Sequence, residues 1–319
     1  MAQTILNQTI IMLILIMVGV LCAKLKLISS ATNKELSQFV LQVVNPVVIF
    51  MSYQKDYEAR LVKNLLLTFA LSVLAFAVTL AVSYLLIRKK ENRHTEVERF
   101  SAVYSNCAFM GIPLMSALFG DEGVFYLTAF ITVFNLVIWT HGVITISGEK
   151  NMKQVVKVFY SPTIIAIVLG IISFFLRGMV HDVPDAVKSI LAVPESALNF
   201  IKEINTPMAM IVSGVTISAT NVPKLLKNVR VYLVCLVKLL IIPLVLALVL
   251  SPFGVDEKVR MTVIVAVASP PAAMCTLFCL RYNKNSVYAS EIFAAGTILS
   301  VLTLPVVVNL TEKLTNLLH

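Results

Sequence analysis

The chain has 319 residues, of which 58% are hydrophobic and only 13% charged, and its mean hydropathy is +0.89. Soluble domains run nearer half apolar and a quarter charged, so this composition excludes an ordinary soluble protein and implies an integral membrane protein. The formal charge of +9 resides in short loops between apolar runs, where it reads as a topology signal and not as a nucleic-acid surface.

Taken in order, apolar runs of spanning length fall at about 5–23, 34–53, 63–87, 99–118, 123–147, 158–177, 195–219, 229–250, 259–280 and 285–310. They predict an all-α membrane protein of ten transmembrane helices. The first run follows a segment without Lys or Arg and is not trailed by a small-x-small cleavage site, so it reads as a span and not as a secretory signal. The longest basic loop is RKKENRHTEVER, Arg88 to Arg99. The connection at 178–194 holds Pro184 and Pro194 and is expected to form a short interfacial helix. Basic residues favour the loops after spans one, three, five, seven and nine, which places those loops in the cytoplasm and both termini outside the cell membrane. The five cysteines mostly fall within apolar runs and read as free thiols. Cys275 and Cys279 lie one turn apart but have no His or acid beside them, so no metal is expected there.

The two halves resemble each other. Phe39 to Ser52 reads FVLQVVNPVVIFMS, and Phe200 to Ser213 reads FIKEINTPMAMIVS, each with Pro seven residues after Phe. Leu61-Val62-Lys63-Asn64 is echoed by Leu225-Leu226-Lys227-Asn228, and a polar turn leads to Tyr126 in one half and to Tyr288 in the other. Residues 1–150 and 151–319 then form two repeats of five spans. Five is odd, so the second repeat enters the membrane from the opposite face. Inverted repeats of this kind place a substrate site near midplane.

Two stretches interrupt otherwise apolar spans. Tyr104 to Leu114 reads YSNCAFMGIPL and carries Asn106, Gly111 and Pro113; Ala268 to Ala273 reads ASPPAA. A proline removes one backbone hydrogen bond and crowds the preceding turn, so helices are expected to break or kink at both places. Lipid offers no partner to the freed groups, so such breaks persist only inside protein or beside a watery cavity. Half-helix ends project positive charge at N-termini and negative charge at C-termini, ready for an anion or a cation. Asn106 and Ser269 add side-chain donors and acceptors there; the plainer reading of Asn106 is a helix–helix hydrogen bond worth roughly 0.6 kcal/mol.

A second matched pair, Asn45-Pro46 and Thr206-Pro207, either caps a freed carbonyl or lines the site. Trp139 reads as an interfacial anchor, and His141 as a satisfied polar contact in preference to a proton carrier. Ionisable groups within spans are costly and draw attention. Lys202 and Glu203 lie near a span end and can snorkel. Lys238 is deeper and is expected to attract an anionic substrate or to pair with Glu203 or Glu291. Aspartate is missing from the span interiors, so no carboxylate cage for sodium is visible. The coupling ion, H+ or Na+, is left open, with Glu203, Glu291 and His141 as proton candidates. No GxSxG, HExxH, Walker A or GxGxxG motif occurs, so the chain does not read as an enzyme, and no cofactor is implied.

With Asn45-Pro46, NCAFMGIPLMSALFGDEG (Asn106 to Gly123), FNLVIWTHG (Phe134 to Gly142), ASPPAAMCTLFCLRYN (Ala268 to Asn283) and TILSVLTLPVV (Thr297 to Val307), the chain resembles the auxin efflux carrier family. That family includes the plant PIN carriers and bacterial organic-acid permeases. The resemblance implies ten helices in two inverted five-helix repeats, with spans four and nine broken and crossing at midplane. It implies an elevator-like secondary transporter in which spans 3–5 and 8–10 move against a scaffold of spans 1, 2, 6 and 7. The crossing motif maps onto Asn106, Gly111, Ile112 and Pro113, and onto Ser269, Pro270 and Pro271. The long cytoplasmic loop of the plant carriers is replaced by about Gly148 to Lys157, which favours a bacterial carrier of a small mono- or dicarboxylate such as malate or malonate over auxin transport. A homodimer is compatible with this reading. The rival readings are an anion channel and a membrane receptor that binds the same ligand without transporting it.

Overall fold

A computed structural model of the chain describes residues 1–89, 94–148, 159–179, 185–220 and 222–318. Residues 90–93 of the basic loop, residues 149–157 of the inter-repeat connection and Pro184 lie outside them. The described residues are helical throughout, apart from turns and one isolated bridge between Ser105 and Pro271. In chain order the helices are α1 (Ala2–Lys24), α2 (Ser30–Ser52), α3 (Ala59–Leu86) and α4 (Thr95–Val103). The apolar run Cys107–Ser147 follows and divides into α5 (107–119) and α6 (121–147). Then come α7 (Pro162–Met179), α8 (Asp185–Glu203), α9 (Asn205–Ser218), α10 (Val222–Lys227) and α11 (Val229–Leu250). The chain closes with α12 (Glu257–Ala268), α13 (Met274–Arg281) and α14 (Ser286–Leu318). Six of these stretches are long and apolar enough to cross a membrane: α1, α2, α3, the α5–α6 run, α11 and α14. The protein is therefore a multi-pass helical membrane protein. The expected short interfacial helix is instead the start of α8, which runs on through Pro194.

The α5–α6 division rests on Gly120. Its φ of 59° and ψ of −146° lie in a region open essentially to glycine alone. A Cβ on Gly123 would fall 2.5 Å from the Met115 carbonyl oxygen, whereas residues eight apart in a straight helix are separated by about 12 Å. The chain therefore turns back on itself here.

Proline placement accounts for three of the four widened turns among the described residues; the fourth, Ile138–Gly142, has no proline after it. Residues Val40–Val44, Cys107–Gly111 and Val237–Ile241 form widened π-helical turns, and Asn45, Ile112 and Ile242 each donate to the carbonyl five residues back. Each turn is followed by a proline, respectively Pro46, Pro113 and Pro243. A proline ring clashes with the carbonyl four residues before it and supplies no N–H. One extra residue in the turn relieves the clash while the helix continues. Pro113 thus does not break its helix: the break lies upstream, at Tyr104–Asn106.

The helices α1 and α9 make the most extensive pairing. Their backbones touch at two glycines: a Cβ on Gly19 would lie 2.1 Å from the Ile211 carbonyl oxygen, and one on Gly214 only 2.0 Å from that of Ile16. Small residues allow such approach where lipid supplies no hydrophobic drive for association. Asn33 Nδ2 donates to Thr216 Oγ1 at 3.0 Å, and Asn205 Nδ2 donates to Asn45 Oδ1 at 2.5 Å, so α2 also runs along α9. Gly214→Ala is expected to force α1 and α9 apart and to cost about 1–3 kcal/mol or more. It would be seen as a lower melting temperature in detergent, with Gly254→Ala, which meets nothing within 4 Å, as the neutral control.

Candidate functional site

Two chain segments without helical structure meet in the interior. The Asn106 N–H donates to the Pro270 carbonyl at 2.7 Å, and the Ala272 N–H donates to the Tyr104 carbonyl at 2.9 Å. Around the facing pair Ser105 and Pro271 this is a minimal antiparallel bridge. Exchange of the two segments exchanges the two bonds. Pro271 occupies the one kind of ladder position whose N–H is not called upon, so its missing donor costs nothing. The backbone groups freed by one interruption are thus satisfied by the other, which lipid could not do.

Four helix ends converge on this bridge. The helices α4 and α12 end at it, and α5 and α13 begin just after it. Their dipoles set negative ends and positive ends side by side within a few residues. One buried amine lies at the negative end of α12. Lys238, in the widened turn of α11, is 0% exposed, and its Nζ donates to Ser105 Oγ at 2.6 Å. The Ser105 hydroxyl in turn donates to the Val267 carbonyl at 3.1 Å, one of the last carbonyls of α12, which lack an intrahelical partner. Lys238 makes no ion pair with Glu203 or Glu291 among the described residues. Glu203 is exposed at the end of α8, and Glu291 accepts from Asn228 Nδ2 at 3.3 Å.

The other expected residues are placed as follows. Asn106 is 8% exposed, and its Nδ2 has no hydrogen-bond partner among the described residues. Ser269 is fully buried, and its hydroxyl donates to the Val265 carbonyl at 2.9 Å. Gly111 faces it: a Cβ there would stand 3.8 Å from Ser269 Oγ. Ile112 and Pro113 are buried where α5 passes from its widened turn to regular helix. Pro270 supplies a bridge carbonyl, while Pro271 packs under Gly296 of α14, where a Cβ would come within 2.4 Å of its Cδ. Asn45 is buried and accepts from Asn205, and Thr206, its counterpart in the repeat, is half-buried. Asn205 Oδ1 has no partner among the described residues, and α9 packs against the first turn of α5.

His141 contacts Tyr104 OH at 2.9 Å and Tyr84 OH at 3.0 Å. It holds Tyr104 over Gly142, where a Cβ would meet the Tyr104 ring at 3.1 Å. Trp139 packs edge-on against Phe278, with ring centroids 5.3 Å apart. Lys202 does not snorkel freely: it is paired with Asp121 at 2.6 Å.

Sequence reasoning missed the charged cluster that ties α4, α11 and α14. Glu98 is 1% exposed and receives both arms of the Arg230 guanidinium, at 2.8 and 2.7 Å. Tyr288 OH also donates to it at 3.0 Å. Both charges sit in stretches that look like loop signals, and only their opposite sign at the starts of two spans hinted at the contact. A second cluster also joins the two halves: Glu122 accepts from Tyr126 OH at 3.0 Å, from Arg60 at 3.2 Å and from Lys258. Asn64 Nδ2 donates to Tyr126 OH at 3.3 Å. Among the described residues no group of three or more His, Cys, Asp or Glu side chains has metal-site geometry.

Glu98→Gln leaves Arg230 short of its counter-charge. Removing one partner of a buried pair costs about 3–5 kcal/mol, and the part-exposed Arg230 lowers this to about 1–3 kcal/mol. The expected result is a lower melting temperature in detergent, partly restored in a Glu98→Leu, Arg230→Met double variant.

Comparison with known proteins agrees with this architecture. The family model described as "Membrane transport protein" matches the chain twice, over residues 4–161 and 150–308. An uncharacterized transporter of Methanothermobacter thermautotrophicus is 25% identical over 299 residues, which is 92% of this chain and 94% of that protein. The chain belongs to the membrane transport protein family, that of the auxin efflux carriers.

Proposed function

We propose that the protein is a secondary transporter of a small organic anion, a mono- or dicarboxylate, bound at the crossing of the two interrupted helices. The observation that carries this reading is the Asn106 amide, buried beside the bridge with its Nδ2 unpartnered among the described residues. An amide donor next to the N-termini of α5 and α13 suits a carboxylate: the helix ends favour negative charge, and first-turn N–H groups lack intrahelical partners. Gly111, Ile112 and Pro113 shape one wall of the site, Ser269, Pro270 and Pro271 the other. Asn45 and Thr206 stand on the facing helices α2 and α9.

In this reading the chain comprises ten spans in two inverted repeats, residues 1–150 and 151–319, in the cell membrane with both termini outside. The close pairing of α1 with α9, and of α2 with α7 and α9, supports a scaffold made of spans 1, 2, 6 and 7. The clusters around Glu122 and Glu98 lock the remaining spans into one body, as an elevator-like movement requires. Lys238 occupies the place where a cation would answer the carbonyl end of α12. Transport is accordingly expected to proceed without sodium.

The test is flux in proteoliposomes loaded with a panel of labelled mono- and dicarboxylates. Saturable uptake with counterflow, unchanged when potassium replaces sodium, is the expected outcome, and Asn106→Ala should lower it by about tenfold or more, the loss of one charge-assisted hydrogen bond. An Asn106→Ala variant that transports a verified substrate as well as the wild type would sink the assignment. Single-channel currents would replace it with a channel, and ligand binding without flux with a receptor.

A further inference from the structure

The turn after Gly120 carries two adjacent carboxylates that bond in different directions. Glu122 is fastened to Arg60 of α3, Lys258 of α12 and Tyr126 of α6. Asp121, its immediate neighbour, turns instead to Lys202 of α8, with Oδ1 2.6 Å from Nζ. Among the described residues the helix α8 packs chiefly against the second half of α2. The turn is therefore pinned to one group of helices by Glu122 and clasped to the other by Asp121. Gly120 makes the sharp reversal that lets neighbouring side chains diverge in this way.

The clasp acts at one end of the molecule only. The Asn45–Asn205 and Asn33–Thr216 contacts show α2 and α9 running antiparallel, so Lys202, just before α9, and Thr220, just after it, lie at opposite ends. At the Thr220 end, a polar contact across the same boundary among the described residues is a hydroxyl pair, Thr220 with Ser290 at 3.4 Å. The ion pair found there, Arg230 with Glu98, joins α11 to α4 within one group.

We propose that Asp121 and Lys202 form a conformational latch that holds the Gly120 end of the carrier shut, and that they must part before the crossing is reached from that side. The proposal rests on the two-body reading of the transporter given above. Both side chains are part-exposed, 41% and 24% respectively, and pairs of that kind contribute roughly 0.2–1 kcal/mol. At its upper end that biases a two-state equilibrium by about fivefold without freezing it.

Two experiments test the latch, one with substrate and one without. A Lys202→Cys, Asp121→Cys double variant, oxidised in proteoliposomes, should cross-link, lose flux and regain it on reduction. A cross-linked protein that carries flux at the reduced rate would overturn the proposal. The second experiment needs no substrate and so separates failure of the latch from failure of the transport assignment. Cys107 lies in the first turn of α5, next to the bridge, and is buried. In a Cys22→Ser background, its labelling by a membrane-impermeant maleimide added from the Asp121 side is read by mass spectrometry. Asp121→Asn and Lys202→Gln should each speed labelling by up to about fivefold, and the exchanged pair Asp121→Lys with Lys202→Asp should return it toward wild type. Labelling that is unchanged by neutralisation, or is nowhere detectable, overturns the latch even if the protein proves to be a carboxylate carrier.

Discussion

Everything in this protein depends on the rule that backbone polar groups within a bilayer must find their partners inside the protein. Two interrupted helices would each expose N–H and carbonyl groups at a depth without water. The Asn106–Pro270 and Ala272–Tyr104 bonds resolve this by making each interruption the partner of the other. The surrounding residues then serve the bridge. Lys238 is linked through Ser105 to a terminal carbonyl of α12. Gly296 leaves room for the Pro271 ring, and Gly111 opens toward Ser269. Neither helix could be interrupted alone without several kcal/mol of unmet hydrogen bonding.

A bridge of two hydrogen bonds is small, and the helices around it are held by other means. Charged and aromatic clusters centred on Glu98 and Glu122 join helices distant in sequence. Glycine contacts join α1 and α9. Further polar contacts tie α2 and α8 to α6, such as Tyr53 OH to Thr128 Oγ1 at 2.5 Å and Lys202 to Asp121.

Particular residues show how far a reader of the sequence can go. The position of the interior site was legible because Asn, Gly and Pro in the middle of an apolar run conflict with an intact spanning helix. The role of each proline was not. Pro113 was expected to break or kink its helix; a widened turn absorbs it, and the interruption lies upstream at Tyr104–Asn106. The repeat marked Asn45 and Thr206 as equivalent positions, but that Asn45 bonds to Asn205 was not legible, because helix rotation about the axis decides which of two neighbours faces inward. The Glu98–Arg230 pair escaped notice because each charge alone looks like a loop residue.

The sequence by itself determined the membrane setting, the helical class, the two interrupted stretches and the family motif. These follow from hydropathy and local backbone chemistry, which act over a few residues. Only the tertiary structure decided that the interruptions bond to each other, that Lys238 is answered by Ser105 and not by a carboxylate, and that Asp121 and Glu122 part company. Such pairings join residues far apart in the chain, 81 positions for Asp121 with Lys202 and 133 for Ser105 with Lys238, and their choice depends on the rotation and depth of each packed helix, which no local pattern records.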